Sequence, residues 1–198
     1  MIVVNNKKEL KSLINQRIRE QGLNCDLNDI DVSRVTDMSE LFMNSKFNGD
    51  ISLWDVGNVR DMSFMFYNSD FNGDISKWDT SRVWNMIEMF SYTKFSGDIS
   101  DWDTSNVRDT TRMFANSKFN GDLSKWDVHN VRDMSFMFTN SRFNGDISQW
   151  DVSGVVYMSH MFESSKFSGD LSEWDVRNVK NMFGMFYDSP LESNEPDW

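Results

Sequence analysis

FNGDISKWDTSRVWNMIEMFSYTK, residues 71–94, is one copy of a pattern that fills most of this chain. Its Trp78 stands in a column with Trp54, Trp102, Trp126, Trp150, Trp174 and Trp198, each 24 residues from the next. Seven of the eight tryptophans share this position, with no insertion or deletion between them. A fixed period of this size marks an array of stacked repeats, in which each unit buries its core against its neighbours. The organisation expected is a single elongated domain: residues 1–22 as an N-terminal cap, then 23–198 as about seven units with the tryptophans as structural core.

Other apolar columns run outward from Trp78. Phe71 heads one with Phe47, Phe95, Phe119, Phe143 and Phe167, and Ile75 another with Ile51, Ile99, Leu123, Ile147 and Leu171. Val83 belongs to a third. Met62, Met65 and Phe66 stand at i, i+3 and i+4, the spacing of one helical face, with Asp61 before them as an N-cap. The segment G-D-I-S-x-W-D follows a turn signal and reads as a short strand. Ile75 and Trp78 differ in parity, so a bend or bulge must let both face inward. The fold class expected is therefore an α/β repeat solenoid, like a leucine-rich repeat, with a short parallel strand and a short helix in every unit. Right-handed crossovers are the rule for such units.

Both ends differ from the middle. Leu10, Leu13, Ile14 and Ile18 share one face of a helix over 6–21, with Asn6 and Glu9 as a capping box and Gly22 closing it. At the other end Glu195 and Pro196 stand where a terminal sheet edge would be blunted, so the array reads as finished at Trp198.

The string W-D-x-S-x-V-x-x-M-x-x-M-F…F-N-G-D-I-S, present over 23–198, resembles the bacterial surface-protein repeats of the BspA-like, leucine-rich-repeat-related superfamily. The resemblance implies a leucine-rich-repeat-like solenoid engaged in adhesion or protein recognition, with no catalytic residue and no cofactor.

Charge and composition narrow the function. With 31 acidic and 20 basic residues the net charge is −11, which argues against a general nucleic-acid or anionic-membrane binder and admits a basic protein partner. Cys25 is the one cysteine, so no internal disulfide can form. MIVVNNKKELKSLI lacks the pattern of a signal peptide, and no stretch has the length of a membrane span. The location expected is cytoplasmic, or the cell surface if an export segment precedes this sequence. Oligomeric state is left open.

Three chemistries have a structural alternative. The columns of Asp50 and Asp55 could gather Ca²⁺, but aspartates at turn entries also accept backbone N–H groups, and no calcium-loop glycine pattern accompanies them. The methionines follow core spacing, which favours packing over a soft-metal site. Cys25, His129 and His160 fall in different units, too far apart for a nucleophile–base pair. An enzyme is not expected, nor any metal or cofactor.

Function is sought where the copies differ. One column reads Thr36, Arg60, Trp84, Arg108, Arg132, Val156 and Lys180; another runs through Phe64 and Phe136; Tyr157 interrupts the Asp61 column. Arginine and aromatic residues are the types enriched at binding hot spots. The partner-binding set expected is Arg60, Phe64, Trp84, Arg108, Arg132, Phe136 and Tyr157, on a non-catalytic protein-recognition or adhesion protein. The alternatives are an intracellular neutraliser, of immunity or nucleic-acid-mimic type, and a calcium-dependent structural module.

Overall fold

A computed structural model describes residues 1–198. Each unit lies on the next, and the stretch that begins at Met62 shows what joins them. The N–H groups of Met62, Phe64, Phe66 and Asn68 donate to the carbonyls of Asn85, Ile87, Met89 and Ser91 one unit on, at 3.0, 2.8, 3.1 and 2.9 Å. The N–H groups between them, of Met65, Tyr67 and Ser69, donate three residues back, to Met62, Phe64 and Phe66.

This pattern corrects the expected helix. An α-helix needs every N–H for the carbonyl four residues back, and here alternate N–H groups bond to the next unit instead. The result is a run of turns in which Phe64 and Asn68 adopt φ of 56° and 48°, in the left-handed region. Met62, Met65 and Phe66 are still fully buried. Their spacing identified the inward face correctly and the element wrongly.

The expected strand is also replaced by a turn. Trp54 N–H donates to the Ile51 carbonyl at 3.2 Å, so the chain reverses between the two residues and both side chains enter the core. The parallel ladder forms elsewhere, as isolated bridges joining Asp37, Asp61, Asn85, Asp109, Asp133, Tyr157 and Asn181 in succession. Two-residue strands occur only at the start: β1 (Ile2–Val3) pairs in parallel with β2 (Ile30–Asp31), Ile2 opposite Ile30.

Helix α1 (Lys7–Gln21) connects the two strands. Asn6 accepts the Glu9 N–H at 3.0 Å, and Gly22, at φ 91°, ends the helix. Leu10 and Ile14 bury against the first unit. No earlier unit bonds to that unit's carbonyls; Lys11 Nζ donates to the Leu41 carbonyl in that role. At the other end the N–H groups of Met182, Gly184 and Phe186 have no backbone acceptor. The closing segment with Glu195 and Pro196 packs on the tryptophan side, where Trp198 Nε1 donates to the Leu171 carbonyl at 3.0 Å.

That last bond explains the tryptophan column. Every indole N–H in it donates to the carbonyl of the residue 27 positions earlier, from Trp54 to Leu27 through Trp174 to Ile147. A buried indole needs such an acceptor, and here the bond crosses the unit boundary. Six of the seven are at most 4% exposed; Trp198, with no unit beyond it, is 41% exposed and so is not core. Beneath the indoles run two phenylalanine columns. Phe66 and Phe90 stack with ring centroids 5.7 Å apart, Phe71 and Phe95 at 6.4 Å, and Phe66 and Phe71 meet at 4.4 Å within one unit. The turn glycines leave room for these rings. A Cβ on Gly49 would lie 2.0 Å from the Cys25 carbonyl and 2.7 Å from the Phe47 ring.

Candidate functional site: an arginine–tryptophan row

Trp84 N–H donates to the Arg60 carbonyl at 3.0 Å, and Arg108 N–H to the Trp84 carbonyl at 2.9 Å. Arg132 follows on Arg108 at 2.8 Å, then Val156 and Lys180 at 2.9 Å each. Direct backbone bonding places these side chains in one row, a unit apart, at a spacing of about 4.8 Å. The neighbouring Val59, Val83 and Val107 are buried and anchor the backbone, while Arg60, Trp84 and Arg108 stand outside.

Three members of the expected set come together. Arg60, Trp84 and Arg108 line an open surface depression with Arg82 and Asn106. Trp84 is 44% exposed. None of these three arginines forms an ion pair, and no carboxylate lines the depression. Arg82 was missed from sequence. It stands in the column of Asn58, Asn106, Asn130 and Asn178, whose amides donate to Ser33, Ser81, Ser105 and Ser153 carbonyls of the preceding unit. A departure from asparagine there was the available signal, of the kind that singled out Trp84.

The other members do not join them. Arg132 has an internal duty: its Nη1 donates to the Gly154 carbonyl at 2.7 Å. A Cβ on Gly154 would lie 2.2 Å from that Nη1, so the guanidinium fills the space that the column's asparagine side chain occupies in other units. Arg132 faces a second depression with His129, Asp151 and Lys180. Phe64 and Phe136 are half-buried, both with left-handed backbone (56° and 60°), in the column of Glu40, Glu88, Arg112, His160 and Gly184. There Arg112 lies over the Phe136 ring at 4.2 Å, and His160 stacks on the other side at 4.8 Å. Tyr157 is 45% exposed in the bridge column.

The aspartate columns act as turn acceptors. Asp50 accepts Ser52 N–H at 2.9 Å, Asp98 accepts Ser100 N–H at 3.0 Å, and Asp79 accepts Ser81 N–H at 3.0 Å. The backbone N–H of Ser100 holds the Asp98 carboxyl below its ordinary range, against a smaller push upward from Asp122. Arg177 brings Asp175 down to about 2. These donors offset the repulsion expected of like charges one unit apart. No group of three or more His, Cys, Asp or Glu side chains is placed to hold a metal ion. Cys25 is buried in the turn-glycine column, where burial pushes its thiol up, while His129 and His160 belong to units four and five steps further on.

No curated protein and no solved structure matches this chain. Residues 8–120 and 92–198 both match the family described as "Mycoplasma protein of unknown function, DUF285". The two matches overlap within the repeats and together span the array and most of helix α1. The protein thus belongs to the DUF285 family, as a repeat protein whose units stack one upon another.

Proposed function

We propose that this protein is a non-catalytic recognition module of the adhesion type, a leucine-rich-repeat-like solenoid related to the BspA-like surface repeats, which binds another protein through its arginine–tryptophan row. The observation that carries this reading is the exposed Trp84 between Arg60 and Arg108, unpaired residues of hot-spot type held in register by backbone bonds. A rigid scaffold under a variable row lowers the ordering cost of binding. The shared columns are occupied with folding, which leaves the variable columns for specificity.

Photocross-linking tests the reading. The photoreactive p-benzoylphenylalanine replaces Thr36, next to Arg60 in the row, and in a control Ser124, exposed at an aspartate turn. Illumination in the source cells is expected to give a discrete protein adduct at position 36 and none at 124. Equal labelling at both positions, or a nucleic-acid adduct at 36, contradicts it.

A further inference from the structure

Net charge suggests a basic partner, but the local arrangement at the row points the other way. We infer that the depression formed by Arg60, Arg82, Trp84 and Arg108 is a docking site for a short acidic segment of a protein that also carries an aromatic or apolar side chain. The inference rests on the protein-recognition reading and adds the chemistry of the partner.

Four observations support it. Arg60, Arg82 and Arg108 converge on the depression without a carboxylate ion pair; Arg82 Nη1 donates to Asn58 Oδ1, which holds that guanidinium in place while leaving its charge uncompensated by an ion pair. None of the nearby aspartates forms an ion pair with these arginines: Asp61 accepts Ser63 N–H at 2.8 Å, Asp109 accepts Thr111 N–H at 2.9 Å, and Asp79 accepts Ser81 N–H at 3.0 Å, its carboxyl held below the ordinary range mainly by Ser81 and to a lesser extent by the Arg82 charge. Trp84 offers an exposed indole among the guanidiniums, suited to an aromatic or aliphatic side chain. The patch is also short. Arg60 to Arg108 spans two unit steps, roughly 10 Å, beyond which Arg132 is bonded to Gly154.

Size and surroundings select the partner class. A nucleic-acid strand needs an extended basic track, and this patch lies on a protein of net charge −11. At physiological salt the Debye length is about 8 Å, so a long polyanion would be repelled just beyond the arginines. Two to four carboxylates fit within that distance. Guanidinium–carboxylate pairing is charge-assisted and bidentate in its best geometry.

The test uses the full chain and three probes: acetyl-Glu-Glu-Phe-Glu-Glu-amide, its lysine counterpart, and a ten-residue thymidine oligonucleotide. Binding is read from the indole and arginine side-chain N–H signals by ¹H–¹⁵N NMR, with Trp84→Phe assigning Trp84. The acidic peptide is expected to shift Trp84 and the arginine signals saturably and leave the column indoles in place. Trp84→Ala and Arg82→Ala should each weaken binding at least about tenfold with native spectra otherwise. Raising NaCl from about 50 to about 300 mM should weaken it further. No saturable shift with the acidic peptide, tighter binding of either other probe, or unchanged affinity in both variants overturns the inference. If position 36 cross-links a protein but the acidic peptide does not bind, the recognition reading stands and this inference falls; if no protein cross-links at position 36, the recognition reading falls and takes this inference with it.

Discussion

Trp102 and Trp84 are the same residue type in opposite roles. Trp102 is 3% exposed and donates its indole N–H to the Ile75 carbonyl at 3.0 Å across a unit boundary. Trp102→Ala is therefore expected to cost about 3–5 kcal/mol in chemical denaturation, from lost core volume and a lost bond between units. Tyr92 shows a residue in conflict with its place: its φ is 59°, in a column otherwise held by Asn44, Asn68, Asn116, Asn140, Ser164 and Asp188. Asparagine tolerates the left-handed region better than tyrosine. Asn68 Nδ2 donates to Asn44 Oδ1 at 2.7 Å, and Asn140 repeats this on Asn116 at 2.8 Å. Tyr92→Asn would continue the row and is expected to stabilise by about 0.5–1 kcal/mol in the same measurement. At this scale the sequence was informative where a column was uniform or sharply broken, as at Trp84. It did not reveal that Arg132 is bonded to Gly154, because that bond joins different columns of adjacent units.

At the scale of the element, the spacing of Met62, Met65 and Phe66 fits a helical face and a run of turns equally well. What separates them is whether alternate N–H groups bond within the unit or to the next, and one unit's sequence does not state that. A signal was present in Gly184, which stands in the column of Phe64 with φ 65°, and in the asparagines four positions on. The capped helix α1 was fully legible, because Asn6, Glu9 and Gly22 act locally. Strand β1 was not, since it depends on pairing with Ile30 some 28 positions away. The aspartate turns carry a prediction about pH. The carboxyls of Asp98, Asp122 and Asp146 are depressed below the ordinary value of 3.8 in the fold, so the stability they add is present above that pH and lost as pH falls through the folded values. Thermal midpoints should be level between about pH 5 and 7 and fall below about pH 4. Asp98→Asn keeps a side-chain acceptor for Ser100 N–H but cannot titrate, so it should shrink that fall. An equally steep fall in Asp98→Asn would place the acid sensitivity elsewhere.

For the whole molecule, nearest-neighbour stacking makes length negotiable and register strict. Removing residues 95–118, one complete unit, joins Lys94 to Phe119 and keeps every column aligned. That deletion should fold cooperatively, with a lower thermal midpoint in circular dichroism. Removing only 95–106 would set turns against phenylalanines and should abolish the transition. Repetition and the column of Arg60, Trp84 and Arg108 were readable in the sequence because both are properties of spacing; that Arg82 joins them, and that Arg132 does not, emerged only from the contacts between units. If shared residues build the stack and departures from the repeat do the binding, the two roles separate in Trp84→Ala and Trp102→Ala, with thermal midpoint and acidic-peptide affinity recorded for each. Trp84→Ala is expected to keep the wild-type midpoint and lose affinity, and Trp102→Ala to lose the midpoint; wild-type affinity in Trp84→Ala, or equal destabilisation by the two substitutions, would show that the roles are not divided in this way.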